Sequence, residues 1–298
     1  MIENVDFSTN NKLMDSIINV TGGSGGNSFL ILGQEKTVLV DCGMAFCAPV
    51  LLRKIKQSLN KRTLDYIIIS HSHYDHIAAI PYLRKEWPNV KVLGADYAKQ
   101  ILNRKSALDT IRELSIEAAK YYGAGVIEPY DDSLLKVDNS VFDGDIINIG
   151  GLIVKVIETQ GHTKCSLSFL VNNELLFSSE STGCISKSGK ISPAFLTSSL
   201  KAIESINKCQ KINPRFIISP HFGLVDENNA QCYWEKCILS VKETKEFILN
   251  LAALGYAEDQ ILTQYEKTFL DEEKRLAQPS NAFRLNAQCM IKTVLNER

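Results

Sequence analysis

The stretch from Tyr66 to His76 constrains this chain more than any other. An apolar run from Tyr66 to Ile69 predicts a buried β-strand that stops at Ser70. Beyond Ser70 the sequence has the spacing H-x-H-x-D-H, formed by His71, His73, Asp75 and His76. Imidazole nitrogen and carboxylate oxygen are ligands that Zn²⁺ and Fe accept, and a loop at a strand end can direct several of them at one point. The chain has five histidines in all. The concentration of three of them here therefore predicts a metal site rather than a polar surface turn.

The other two histidines also stand where a strand is predicted to end. His162 follows the strand pattern Leu152 to Ile157, and His221 follows the apolar run Phe216 to Ile218. Either histidine alone is more often a structural residue than a ligand. With all five at strand ends, the sequence predicts a metal centre at one edge of a sheet.

These motifs together resemble the metallo-β-lactamase-fold hydrolase superfamily. H-x-H-x-D-H is followed by G-H-T at His162, by an acidic residue after a strand, and by S-P-H at His221. The resemblance covers roughly Asn19 to Val225. It implies an α/β (α+β) fold, a four-layer αββα sandwich with two sheets face to face and helices outside. The order of predicted strands and helices fits that expectation.

We predict a metallo-β-lactamase-like domain over residues 1–225, with a helical excursion at about 105–128, and a helical C-terminal extension over 226–298. The extension resembles those of glyoxalase II-like members and of the alkylquinolone-pathway thioesterase relative, which wall the substrate cleft. A packing or oligomerisation role is equally compatible with it, so a homodimer stays open. Its three predicted helices are Asn229 to Leu254, Ala257 to Leu270 and roughly Asn281 to Leu295.

The resemblance also implies a ligand set for two divalent metal ions. One ion would be held by His71, His73 and His162, and the second by Asp75, His76 and His221. The superfamily then has an Asp that bridges both ions, but the matching position, after strand Leu175 to Phe177, is Glu180. Zn is the favoured metal, and Fe and Mn also suit such mixed nitrogen and oxygen ligands.

Glu180 is the one departure from the family pattern. A glutamate reaches on the order of 1.5 Å further than an aspartate and has one more torsion to fix, while metal–ligand distances vary by only about 0.2 Å. Glu180 therefore bridges from a displaced backbone, binds one ion only, or leaves the second site weak. Cys184, four residues on, is favoured as a buried structural thiol over a ligand.

Two further stretches accompany the metal motif. The superfamily has an Asp in the place of Asp41, where it supports the metal-binding loop, although a plain loop-capping role is equally compatible. Gly22 to Gly26 includes four glycines in five positions. We expect a flexible active-site rim there rather than a phosphate site, because no Lys-Ser/Thr pair follows.

The predicted function is that of a metal-dependent hydrolase. A metal ion lowers the pKa of bound water towards about 7, so that hydroxide can attack a small ester, most plausibly a thioester or lactone. Asp75 would orient the hydroxide, and Tyr74 or His221 would assist the leaving group. Two alternatives stay open: a phosphodiesterase on the same centre, and a metal-binding regulatory protein with little turnover. Flavodi-iron oxygen reductases share the fold but have Glu where this chain has His73, which disfavours a redox role.

Composition limits the partners and the location. Lys and Arg number 33 against 34 Asp and Glu, a net charge of −1, which gives no sign of nucleic-acid binding. No apolar run approaches membrane-spanning length, and the segment Met1 to Asp6 lacks the features of a signal peptide. The eight cysteines contain no C-x-x-C pair and predict reduced thiols. We therefore expect a cytoplasmic protein that acts on a small molecule, with no nucleic-acid or membrane partner.

Overall fold

The computed structural model of the protein describes residues 12–297, so the expectations about the first eleven residues lie outside it. The chain divides by its contacts into two compact units, Met1–Val156 and Ile157–Arg298. Each unit is described in turn. The domain boundary near Asp226 stays a prediction.

The first unit contains a six-stranded sheet whose strands follow chain order, β1-β2-β3-β4-β5-β6. The first three strands are antiparallel, and β3 to β6 are parallel. The strands are β1 Ile17–Asn19, β2 Phe29–Leu32, β3 Thr37–Val40, β4 Tyr66–Ile68, β5 Lys91–Gly94 and β6 Asn139–Ser140. The helices are α1 Ala48–Leu59, α2 Tyr74–Ile77, α3 Ile80–Glu86, α4 Asp96–Leu102 and α5 Lys105–Tyr121.

The parallel strands of this sheet place the predicted site at one sheet edge. Every residue of β3 is buried, as expected for a strand that is covered on both faces. Helix α1 buries Leu51, Ile55 and Leu59 along one face, the spacing of an amphipathic helix. Because β3 and β4 are parallel neighbours, their carboxyl ends lie side by side, and Asp41 and Ser70 follow those ends.

A second sheet has six strands in the order β14-β13-β10-β9-β8-β7. The parallel pair β10 and β13 is connected through helix α6, whereas β9 and β10 form a hairpin. The strands are β7 Ile146–Asn148, β8 Ile153–Glu158, β9 Leu167–Val171, β10 Leu175–Phe177, β13 Phe216–Ser219 and β14 Gly223–Leu224, with a separate hairpin of β11 Cys184–Ile185 and β12 Ile191–Ser192. The hairpin turn has positive φ at both Asn172 and Asn173, as a type I′ turn requires.

Six helices belong to the second unit, and their apolar faces share one core. They are α6 Ser199–Ile212, α7 Glu227–Ala230, α8 Tyr233–Ala253, α9 Glu258–Phe269, α10 Glu272–Ala277 and α11 Ser280–Asn296. Ile206, Val241 and Ile291 are buried in the same apolar cluster as Leu176 of β10 and Ile217 of β13. Residues on both sides of Asp226 thus contribute to one core.

Buried thiols occur in both units, and these are free cysteines, as predicted. Cys42 and Cys47 are buried in the first unit, and Cys209 and Cys237 in the second. Burial raises the pKa of Cys47 and of Cys209 to about 12 and raises the pKa of Cys42 and Cys237 as well. These four thiols are therefore poor nucleophiles in the folded protein.

The predicted helices differ from the structure in three ways. The predicted helix from Asn229 is two helices, α7 and α8. Helix α10 was not predicted, and the helical excursion ends at Tyr121. Within residues 12–297 no helix is both long and apolar enough to cross a membrane.

Glu297 connects the end of α11 to the start of α6. Its carboxylate accepts hydrogen bonds from the Ser198 hydroxyl at 2.7 Å, the Ser199 amide at 3.0 Å and the Ser199 hydroxyl. Lys245 lies 3.8 Å away. Burial by itself would raise the pKa of Glu297, but the hydrogen bonds from Ser199 and Ser198 and the charge of Lys245 outweigh it and lower that pKa. A negative charge at a helix N-terminus is also favourable.

We expect Glu297→Gln to destabilise the second unit by about 1 kcal/mol at pH 7, because it removes charge from a helix cap. The folded-state pKa lies below the ordinary value of 4.5, so this contribution is present above pH 4.5 and is lost as pH falls through the folded-state pKa. Urea unfolding at several pH values should show the two proteins converging in acid. Glu243→Gln, at an exposed position of α8, is the control. A stability gap independent of pH would contradict the role of the charge.

Candidate metal centre

The segment from the end of β4 through α2, called the histidine loop, carries the four ligand candidates of the first unit. His71 and His76 are buried, and the ring centroid of His71 lies 4.5 Å from that of His73 and 4.3 Å from that of His76. Potential ligand atoms of His71 and His73 lie within 4.8 Å of each other, as do those of Asp75 and His76. The loop therefore gathers three imidazoles and a carboxylate at the end of one strand.

The Asp41 carboxylate holds this loop in place. It accepts hydrogen bonds from the Ser70 amide at 2.7 Å and the Ser70 hydroxyl at 2.7 Å, and it lies 2.8 Å from His76 Nδ1. A carboxylate can only accept, so Nδ1 of His76 carries the proton and Nε2 presents its lone pair. Of the two roles left open for Asp41, support of the metal-binding loop is the one confirmed by these contacts.

Ser70 extends the same arrangement to His71. The Ser70 hydroxyl donates to Asp41, so its oxygen accepts from His71 Nδ1, 3.0 Å away. Nε2 of His71 then presents its lone pair, as Nε2 of His76 does. Ser70 was not predicted to have a role, although its position between the strand and the first histidine was the available signal.

The glycine-rich loop packs closely against the histidine loop. The Gly26 amide donates to the Asp75 carbonyl oxygen at 3.2 Å. A Cβ at Gly26 would lie 2.3 Å from that oxygen and 3.2 Å from His76 Nδ1. The loop was predicted to be a flexible rim, but its contacts give Gly26 a packing role: only glycine lets the two backbones approach so closely.

Residues around Tyr74 and Asp75 form an aromatic wall in the first unit. Tyr74, Phe46 and Tyr122 pack against the buried cluster of Met44, Cys47 and Ala118. Burial is the main reason that the pKa of Tyr122 rises to about 12, and the Asp75 charge adds to it. The two candidate catalytic residues thus lie beside apolar side chains that belong partly to α5, the predicted helical excursion.

In the second unit, His162 follows β8 and is buried. Its amide donates to the Ser181 hydroxyl at 2.9 Å, and its Nδ1 lies 2.6 Å from the Ala194 carbonyl oxygen. A carbonyl oxygen cannot donate, so Nδ1 is protonated and Nε2 presents its lone pair. The Ala194 carbonyl was not predicted, because a backbone contact from a residue so distant in sequence leaves no pattern in the chain.

Glu180 lies between the two histidines of this unit. Its Oε2 is 3.3 Å from His162 Nε2, and its Oε1 is 3.0 Å from His221 Nε2. The Glu180 side chain is only 9% exposed. Each carboxylate oxygen thus faces the Nε2 atom of a different histidine. Cys184 was predicted to be buried, but in β11 it is only half-buried.

His221 occupies the tight turn between β13 and β14 in a left-handed conformation, with φ of 61°. Glycine is the usual residue in this region, and for other residues a left-handed backbone costs about 1–2 kcal/mol. A candidate ligand whose backbone is strained suggests that its position serves function rather than stability.

All seven predicted ligand residues thus offer a histidine nitrogen or a carboxylate oxygen. Four belong to the first unit and three to the second. Imidazoles and carboxylates are donors that suit Zn, Fe or Mn, and three of the imidazoles have their Nδ1 atoms engaged, as metal-binding histidines do. The residues of each unit therefore have the chemistry of metal ligands.

We expect Asp41→Asn to weaken metal binding by about 10–100-fold, because it removes the charged acceptor that orients His76 and Ser70. Asp65→Asn is a matched control: Asp65 accepts from the Thr37 amide at 2.9 Å, near the opposite ends of β3 and β4. Both variants should lose about 1–2 kcal/mol of stability. Calorimetric Zn²⁺ titration should separate them. Equal affinities would show that Asp41 acts on stability alone.

His221→Gly should be more stable than His221→Ala by about 1 kcal/mol, because glycine accepts the left-handed backbone without strain. Both variants lack the imidazole, so the comparison isolates the backbone. Chemical denaturation of the metal-free proteins measures the difference. The same pair at Lys187, which has no positive φ, should show no advantage for glycine. An advantage of the same size there would contradict strain at His221.

Known proteins resemble this chain in sequence and in structure. The sequence model of the metallo-beta-lactamase superfamily matches residues 21–179, more than half of the chain. A metallo-beta-lactamase fold-containing protein of Sulfurisphaera tokodaii is 25% identical over 245 residues, which cover 80% of this chain and 87% of that protein. A hydroxyacylglutathione hydrolase of Prochlorococcus marinus is 29% identical over 47% of this chain and 43% of its own length.

Solved structures agree with the sequence comparison. The structure of an archaeal metallo-beta-lactamase superfamily protein from Sulfolobus tokodaii has a TM-score of 0.58 at 23% identity, and it covers 74% of this chain and 85% of its own. A metallo-beta-lactamase family protein from Thermus thermophilus has a TM-score of 0.65 at 15% identity, and it covers 95% of this chain and 93% of its own. The predicted α/β sandwich class with a helical extension is confirmed. By its sequence, its fold and its motifs, the chain belongs to the metallo-beta-lactamase superfamily.

Proposed function

We propose that this protein is a hydrolase of small esters, with a thioester as the first substrate class, and that it uses a dinuclear metal centre. Members of the superfamily are generally hydrolases that bind divalent metals, usually zinc. The single observation that carries the dinuclear proposal is the Glu180 carboxylate, whose two oxygens face His162 and His221.

The proposed ligand assignment gives these two histidines different metal ions. His71, His73 and His162 would hold the first ion, and Asp75, His76 and His221 the second. The Glu180 carboxylate faces one histidine of each set, and this supports the bridging role over the two other outcomes. The longer side chain of Glu180 would then bridge from a backbone that is set back. Zn is the proposed metal, with Fe or Mn as alternatives.

The chain's own residues would supply orientation and proton transfer. When bound, the metal ions lower the pKa of a water molecule and polarise the acyl carbonyl. Asp75 would orient the attacking oxygen. As the new carbon–oxygen bond forms and the carbon–sulfur bond breaks, Tyr74 would donate a proton to the departing thiolate. Phe46 and Tyr122, which pack beside Tyr74, would offer apolar surface to an acyl group.

The thioester preference is supported by relatives that are hydroxyacylglutathione hydrolases. The one from Prochlorococcus marinus matches 47% of this chain. This chain spans less than half of that relative's length, so its activity is transferred here only as a proposal. Lactones share the attacked acyl carbonyl. A phosphodiester is the alternative substrate on the same centre, and a regulatory metal protein is the alternative without turnover.

A small-molecule ester is therefore the proposed partner, without nucleic acid or membrane. A cytoplasmic location, proposed from cysteine usage, accompanies it. A homodimer stays an open proposal for the C-terminal helices.

The metal proposal is tested by metal content. Protein purified without added metal should contain two ions per chain by inductively coupled plasma mass spectrometry, and His73→Ala should lose both the metal and the hydrolysis of model thioesters. Glu180→Asp should retain two ions if the bridge tolerates either length. One ion in the native protein, rising to two in Glu180→Asp, would mean that Glu180 weakens the second site. Full metal and activity in His73→Ala would refute its role.

Substrate class is tested with the fully loaded protein. Thioesters, lactones and phosphodiesters of matched hydrophobicity should be compared by kcat/KM. We expect the acyl substrates to be preferred. A preference for phosphodiesters would favour the alternative enzyme, and metal-loaded protein without turnover on any class would favour the regulatory role.

A further inference from the structure

Tyr233, the first residue of α8, is fully buried in the second unit. Its ring packs edge-on against Trp234, with ring centroids 5.0 Å apart. Its hydroxyl donates to the Ser219 hydroxyl oxygen at 3.1 Å. A buried phenol needs such a partner, and here the partner stands two residues before His221.

Two further hydroxyls adjoin the same phenol. Burial raises the pKa of Tyr233, and the neighbouring hydroxyls of Ser219, Ser178 and Thr182 oppose that rise. Ser178 and Thr182 stand two residues before and two residues after Glu180. Tyr233 therefore meets both of the loops that carry the ligand candidates Glu180 and His221.

Each of these hydroxyls also forms a hydrogen bond with a backbone group. The Ser178 hydroxyl donates to the Ile218 carbonyl at 3.2 Å, and the Thr182 hydroxyl donates to the Ser179 carbonyl at 2.9 Å. The Ser219 oxygen accepts from the Ile185 amide at 3.3 Å. The phenol of Tyr233 adjoins all three of these hydroxyls.

We propose that Tyr233 is a positioning residue that fixes Glu180 relative to His221, so that the C-terminal helices control the occupancy of the second metal site. This inference rests on the proposed dinuclear centre. Metal–ligand distances tolerate changes of only about 0.2 Å. Loss of the phenol hydroxyl would let either loop shift slightly, and such a shift would lower the affinity for the ion that His221 would bind. The position of His162 should change less, because its ring is hydrogen-bonded to the Ala194 carbonyl oxygen.

Tyr233→Phe is the test, with Tyr265→Phe as a matched control. Tyr265 is a buried tyrosine of α9 whose hydroxyl bonds to Thr244, away from both ligand loops. Metal-free proteins are titrated with Zn²⁺ by calorimetry, and circular dichroism checks folding. We expect Tyr233→Phe to weaken binding of the second ion about 10–100-fold and to weaken binding of the first much less, because three histidines would also hold the first ion. Tyr265→Phe should bind both ions as the native protein does. Ser219→Ala should resemble Tyr233→Phe.

The outcomes separate the inference from the proposed function. Two ions of native affinity in Tyr233→Phe would overturn the positioning role. Equal weakening of both ions, or the same loss in Tyr265→Phe, would show that the hydroxyl acts on general stability and would also overturn it. Native protein that binds no second ion would refute the dinuclear centre itself, and this inference would fall with it.

Discussion

The hydrogen bonds of the Asp41 carboxylate are the contacts on which the histidine loop depends. Parallel strands β3 and β4 place their carboxyl ends side by side, and Asp41 joins the two ends through Ser70. A buried carboxylate is stable only when its oxygens accept hydrogen bonds. Asp41 therefore depends on the loop for its donors, and the loop depends on Asp41 for its position. The same bonds set the protonation of His76 and, through Ser70, of His71. The same hydrogen bonds thus hold the loop in place and orient the histidine side chains.

Backbone strain is concentrated where chemistry is proposed. Among the described residues, seven other than glycine have positive φ, and five of them are Asn or Lys residues. Those five occupy turns and helix ends, where Asn in particular adopts this conformation at little cost. The remaining two are Asp41 and His221, a loop support and a candidate ligand. Their strained conformations are kept by the contacts they make with Ser70, His76 and Glu180, which a glycine in the same turns could not make.

The sequence predicted the ligand candidates and most strands because each depends on local pattern. The spacing of the histidine loop and the buried run before it can both be recognised within ten residues. What was missed depends on distant partners. Ser70 becomes important only through Asp41, and the Ala194 carbonyl only through His162. Tyr233 has the pattern of an ordinary core residue.

The buried thiols have a consequence for how this protein unfolds. Cys42 and Cys47 are enclosed in the first unit, and Cys209 and Cys237 in the second. A thiol reagent reaches such groups only when the surrounding structure opens, so the order in which the four cysteines are alkylated records which part of the chain opens first. Mass spectrometry of the alkylated peptides would assign each opening event to its own cysteine. The native cysteines of both units can therefore report local unfolding without any introduced label.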